Sequence, residues 1–216
     1  MCCYHMKEVM TTTIIATIGR MNPPTPGHIR ILNVMIKKAQ QLDVSNVYVI
    51  LSHTHGNADN PLSCPNKRKI LLNAMSHASS SRSGVKINVI CTNPNDEFPI
   101  PDAIQRLIEL HGHPKIQKLK ILLVSGSDRN KSYRFVSKYM AERRPPVKVE
   151  EIHIRRAPGS SSASQARHFA ATRNEKAFMR HMTTRRGMTR KLAKNIYGKL
   201  VSSSPHNKDK IDKYST

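Results

Sequence analysis

Two stretches of this chain hold residue types whose spacing suits the handling of phosphate. The first, Gly19-Arg20-Met21-Asn22-Pro23-Pro24-Thr25-Pro26-Gly27-His28, follows the β-branched run Thr13 to Ile18 and leads into an apolar-periodic helix, Ile29 to Gln41. A glycine and a histidine therefore sit at a strand-to-helix turn, where unpaired backbone N–H groups of the helix start can receive an anion. Pro23, Pro24 and Pro26 bar regular helix and stiffen the loop, which would hold His28 in a fixed orientation. The second stretch, Ser160-Ser161-Ser162-Ala163-Ser164-Gln165-Ala166-Arg167, offers another helix start, rich in hydroxyls and closed by an arginine. Two such helix starts point to nucleotide chemistry.

The elements that must position them alternate. Strand-like runs occur at Thr13–Ile18, Asn46–Leu51, Lys86–Cys91, Leu119–Val124 and Val147–Ile154, with helix-like segments at Gly27–Gln41, Pro65–His77, Pro101–His111 and Lys131–Ala141 between them. Short apolar, β-branched runs read as strands covered on both faces. Their alternation with helices predicts an α/β fold, a Rossmann-like doubly wound five-stranded parallel sheet. Further helical patterns, Ala166–Thr172, Glu175–Met182 and Thr189–Leu200, predict C-terminal helices. In such sheets ligands lie beyond the carboxyl ends of the strands, where the Gly19–His28 and Ser125–Arg129 segments fall. Arg143-Arg144-Pro145-Pro146 should end a helix before the fifth strand.

Charge and cysteines bound the classes of partner. The 36 Lys+Arg against 14 Asp+Glu give +22 over 216 residues, a field that attracts polyanions. The last 44 residues carry 12 Lys+Arg against 3 Asp+Glu, so only part of the surplus is local. Aromatics are 5% and tryptophan is absent, which argues against stacking platforms for single-stranded nucleic acid. Cys2, Cys3, Cys64 and Cys91 match neither a paired zinc pattern nor a disulfide framework. They are expected to be reduced thiols in a cytoplasmic, reducing compartment. No apolar run spans a bilayer, and no signal-peptide core is seen, so no membrane role is expected. Residues 1–9 read as an extension before a start at Met10, 10–182 as the catalytic domain, 183–201 as a basic helix, and 202–216 as a frayed tail.

The first motif resembles the signature of the HIGH-type nucleotidyltransferase superfamily, a Gly-x-Phe-Asn/Asp-Pro-x-His/Thr-x-Gly-His run after the first strand. That superfamily includes nicotinamide and nicotinate mononucleotide adenylyltransferases and several cytidylyltransferases. Thr25, Gly27 and His28 match it, while Met21 stands for the usual phenylalanine. A second family motif, Ile-Ser-Ser/Ala-Ser/Thr-x-x-Arg, is matched by Ser162 to Arg167, with Ser161 in place of the isoleucine. Ser125-Gly126-Ser127-Asp128-Arg129 resembles the family's Gly-x-Asp element. The resemblance implies transfer of a nucleoside monophosphate from a triphosphate, ATP or CTP, to a phosphorylated small molecule, with pyrophosphate leaving. It implies catalytic roles for His28, Thr25 and Arg167, and nucleotide or phosphate contacts for Gly19, Arg20, Asn22, Gly27, Gly126, Asp128, Ser162 and Ser164. Magnesium (Mg2+) is the implied cofactor, bridged by phosphates rather than by a protein cage. AMP transfer, as to nicotinamide mononucleotide, is favoured over CMP transfer.

Each residue also has a plainer reading. Ser162 and Ser164 could be helix caps, and Asp128 the cap of the helix expected near Lys131. Arg129, Arg155 and Arg156 could be surface charges. His53 and His55 alternate as metal ligands on a strand do, yet no nearby Cys or carboxylate cluster completes a site, and they read better as loop. The basic start Asn66-Lys67-Arg68 of the second helix-like stretch could touch substrate or merely be solvated. Nucleic-acid binding or RNA modification on the same fold is the alternative of another class, and a homo-oligomer is left open.

Overall fold

The computed structural model describes residues 11–78, 83–111, 118–129, 132–142, 147–155, 160–185 and 187–203. The expected extension 1–9 with Met10, the Arg143–Pro146 stop, Lys131, Arg156 and the tail from 204 onward lie outside these residues. Five strands, β1 (Thr11–Gly19), β2 (Asn46–Leu51), β3 (Lys86–Cys91), β4 (Lys118–Gly126) and β5 (Lys148–Ile154), form one parallel sheet in the order β3-β2-β1-β4-β5. The switch in strand order falls at β1, between β2 and β4, so the loop after β1 opens where a doubly wound sheet receives ligands.

Alternation along each strand explains the two layers. Ile15, Val47, Val49, Leu51, Leu122 and Val124 face one cluster, with side chains from α1 (Pro26–Gln41), α2 (Cys64–Ser76), α5 (Ala163–Ala171), α6 (Glu175–Met182) and α7 (Arg190–Ser202). Ile14, Ala16, Ile18, Ile50, Ile121 and Leu123 face the other, against α3 (Pro99–His111) and α4 (Arg134–Ala141). Both faces of every central strand are thus covered, as their unbroken apolar runs require. Helix α7, which contains most of the basic 183–201 segment, adds Leu192, Ala193, Ile196 and Leu200 to the first cluster. It is part of the same core as the sheet.

Two expectations are corrected. Helix α4 begins at Arg134, with Tyr133 at its N-cap, and Asp128 lies in a separate 3₁₀ turn, Ser127–Arg129. Asp128 therefore does not cap that helix. Cys64 and Cys91 form a disulfide, with Cα atoms 6.0 Å apart. The pairing is tertiary in origin: Cys91 ends β3 beside Leu51 of β2, and Cys64 opens α2, the helix that follows β2. Spacing in the sequence could not show it.

Candidate active site

A cavity of about 390 Å³ opens at the carboxyl ends of β1, β4 and β5. Its wall includes Gly19, Arg20, Asn22, Thr25, Gly27, His28, Gly126, Asp128, Ser162, Ser164 and Arg167. All eleven expected site residues thus converge on one space, although 148 residues of sequence separate Gly19 from Arg167. Arg20, Arg30, Arg129, Arg155 and Arg167 face it against Asp59 and Asp128, a balance that suits an anionic ligand.

The first turn is built around Thr25. Thr25 is the N-cap of α1, with Pro26 in the first helical turn, where a missing N–H costs nothing. The backbone N–H of Thr25 donates to His28 Nδ1 at 2.9 Å. A neutral imidazole accepting at Nδ1 carries its proton on Nε2, so this bond selects the tautomer with a donor at Nε2. The Thr25 hydroxyl lies 3.0 Å from the same Nδ1. Before it, Met21 is in the left-handed region (φ 44°) and Asn22–Pro23 is cis.

Asn22 holds the loop together. Its Nδ2 donates to the Leu62 carbonyl at 2.9 Å, and its Oδ1 accepts from the Leu62 N–H at 3.0 Å. Its own carbonyl accepts from Arg167 Nη1 at 2.7 Å. Both ends of the amide are engaged by protein, so what Asn22 offers is the placement of Arg167. A second guanidinium nitrogen of Arg167 reaches Asp59 at 3.1 Å and Ser164 Oγ at 3.4 Å.

The second turn meets the first directly. The Gly27 N–H donates to Ser161 Oγ at 3.4 Å. Ser161, which stands where the related motif has isoleucine, is thus a tie between the two phosphate-suited turns. A Cβ at Gly27 would meet Ser161 O and Thr25 Oγ1 at 3.6 Å, ordinary contact, so the surrounding protein does not itself demand glycine there. At Gly126, by contrast, a Cβ would lie 2.5 Å from Asp128 Oδ1, and glycine lets that carboxylate fold back over the strand end. Ser162 is the N-cap of α5, and its side chain makes no cap bond.

Sequence reasoning missed several groups. Tyr133 lines the cavity and its hydroxyl donates to the Ile18 carbonyl at 2.8 Å; burial pushes its phenol pKa up, which keeps it a donor. Asp59 and Asn60 also line the wall, and His181 supports it from behind, bonded to Ser162. No local pattern marks any of them. Other candidates fall elsewhere. His53 bonds to Thr92 through Nδ1 at 2.9 Å, and His55 Nδ1 meets the His53 carbonyl at 2.9 Å. Lys67 is fully buried, its Nζ donating to the Ser52 carbonyl, and burial lowers its pKa to about 8. Neither these two histidines nor Lys67 reaches the cavity wall. Among the described residues no group of three or more His, Cys, Asp or Glu is placed to hold a metal.

Comparison with solved structures settles the architecture. A bifunctional NMN adenylyltransferase/ADP ribose pyrophosphatase from Francisella tularensis superposes with a TM-score of 0.57 at 16% identity, over 92% of this chain. The two share one α/β fold over most of this chain. A second structure of the Francisella protein, with AMP and a manganese ion, gives 0.52 at 15% identity over 92% of this chain. This chain spans about half of that protein, 54% of its length. A nicotinic acid mononucleotide adenylyltransferase from Plasmodium falciparum, with NaAD bound, matches 74% of this chain and 84% of its own at 16% identity, with a TM-score of 0.48. No family model and no curated protein matches the sequence. Among the described residues no helix is long and apolar enough to cross a membrane. The fold places the β1 turn and the α5 start side by side, which is how their residues come to share one cavity.

Proposed function

We propose that the cavity transfers a nucleoside monophosphate from a triphosphate to a phosphorylated small molecule. The observation that carries this reading is the junction of the two turns, Gly27 N–H on Ser161 Oγ, with Arg167 bonded across to Asn22. A phosphate oxygen of the acceptor attacks the α-phosphorus, a new P–O bond forms, and the bond to the β-phosphate oxygen breaks. Pyrophosphate leaves with the electron pair. The nucleophile is already an anion, so the residues need to align reactants and stabilise charge rather than remove a proton. His28, with its proton on Nε2, donates to the α- or β-phosphate, and Thr25 fixes that tautomer. Ser162, Ser164 and the first N–H groups of α5 hold the β- and γ-phosphates, and Arg167 neutralises the leaving pyrophosphate. Arg20, Gly19, Gly126 and Asp128 line the nucleotide's path.

Asp59 and Asp128 are the carboxylates on the wall among the described residues, and Asp59 is paired with Arg167. So sparse a donor set fits a magnesium ion carried by the phosphates, which would supply charge neutralisation there. ATP is the favoured donor, because the fold matches adenylyltransferase structures, with nicotinamide mononucleotide or a related phosphate as acceptor. Pyrophosphate release, measured for each nucleoside triphosphate against phosphorylated acceptors with magnesium, tests the reading. Release with ATP and a mononucleotide, lost in His28→Ala, is expected; no release with any pair would overturn it.

A further inference from the structure

We infer that His181, on α6, is a positioning residue for the phosphate-holding turn, acting through the backbone of Ser162; this rests on the nucleotidyltransferase reading of the cavity. His181 Nε2 lies 2.9 Å from the Ser162 N–H and 2.9 Å from the Ser162 carbonyl. One nitrogen can serve only one of these at a time. As the unprotonated nitrogen it accepts from the N–H, and as the protonated one it donates to the carbonyl. Both states anchor the same residue.

That residue is where anchoring has most effect. Ser162 is the N-cap of α5, makes no side-chain cap bond, and its carbonyl already closes the helix by accepting from the Ala166 N–H at 3.0 Å. Helix ends lacking a side-chain cap are held by other partners or fray. Here the partner comes from the next helix. His181 is itself placed by an edge-to-face contact with Phe169, centroids 5.7 Å apart. Its helix is fixed in the core by Phe178 and Met182, both fully buried. The turn that presents Ser162 and Ser164 is therefore gripped on one side by His181 and on the other by the Ser161–Gly27 tie. A shift of the cap by a fraction of an ångström would misplace both hydroxyls relative to His28.

The test compares three variants by calorimetric binding of magnesium-ATP and of magnesium-pyrophosphate, with kinetics for both substrates. His181→Ala should weaken triphosphate and pyrophosphate binding about five- to tenfold, the scale of one lost positioning hydrogen bond, while the acceptor KM changes less than about twofold. His181→Gln, whose amide reaches the Nε2 position, should restore triphosphate binding to within about twofold of the parent. His181→Asn, whose amide reaches only the Nδ1 position, should not. Unchanged triphosphate affinity in His181→Ala would overturn the proposal, as would equal loss for both substrates or equal rescue by Asn and Gln. Should the alanine variant fail to fold, the Gln–Asn comparison decides alone. A parent protein that binds no triphosphate overturns the transfer reading and this one with it. A parent that binds and turns over triphosphate beside an indifferent His181→Ala overturns this one alone.

Discussion

His28 is asked to do two separable things, and substitutions can pull them apart. Through Nδ1 it satisfies the N–H of Thr25, a residue only 1% exposed. Through Nε2 it is proposed to donate to the triphosphate. His28→Ala removes both. Leaving the Thr25 N–H without its acceptor should cost about 1–2 kcal/mol. In a chain of this size that lowers Tm by about 2–8 °C. Losing a donor aimed at the transferring phosphoryl should lower kcat by about 10²–10³. His28→Asn keeps an acceptor near the Nδ1 position and no donor at Nε2, so it should recover most of the Tm and none of the rate. His28→Gln should do the reverse in part, reaching the Nε2 position while forfeiting the bond to Thr25. Differential scanning calorimetry and pyrophosphate release on the same preparations give both numbers. Should His28→Asn retain a third or more of parental kcat, the argument that Nδ1 serves structure and Nε2 serves chemistry is refuted.

Other perturbations follow from the same geometry. Lys67 has a folded-state pKa of about 8 against an ordinary 10.5, so between these values the unfolded chain holds a proton that the folded one does not. Stability therefore rises as pH climbs from about 8 to 10.5, by at most about 3 kcal/mol, and is lowest below pH 8. Urea unfolding at pH 7.5, 9 and 10.5 should show this gain in the parent and not in Lys67→Met; equal slopes would refute it. Reducing the Cys64–Cys91 disulfide, which closes a 27-residue separation, should cost about 3.5 kcal/mol on chain entropy alone. Unfolding with and without reductant measures that cost, and no free thiol exposed at these positions on reduction would contradict the bond. Asp59 is 77% exposed and its pair with Arg167 is worth at most about 1 kcal/mol. Asp59→Asn should lower the triphosphate KM by up to about fivefold, an effect that shrinks with salt, because a competitor for Arg167 is gone. A rise in KM would instead mean that Asp59 serves the substrate or its metal.

What could be read from the chain was whatever is local. The β-branched runs placed β2 and β3 to the residue and the other strands within a few residues. The apolar signature is unbroken in β2, covered on both faces, and interrupted in the half-buried edge strands β3 and β5. Gly27, His28, Ser162 and Arg167 were legible because each motif sits on one turn. Tertiary partners were not. Tyr133 holds a non-helical backbone (φ −119°, ψ 12°) with its hydroxyl on β1, which delays α4 past the start its periodicity suggested. The Cys64–Cys91 bond depends on β2–β3 register, the Ser161–Gly27 tie on contact across 134 residues, and the His181 anchor on how α6 packs. Asn22 shows the same limit in reverse. Its motif marked it as a nucleotide contact, and could not show that its amide also ties the loop to Leu62.

The central claim is direct transfer of a nucleoside monophosphate within the cavity of His28 and Arg167. Incubation with ATP labelled at the α-phosphorus, magnesium and nicotinamide mononucleotide tests it most directly. The account predicts label in a dinucleotide product, equimolar pyrophosphate, no label on the protein, and a rate of product formation about 10²–10³ lower in His28→Ala. Label that stays in ATP with every phosphorylated acceptor, or that becomes bound to the protein, would contradict it.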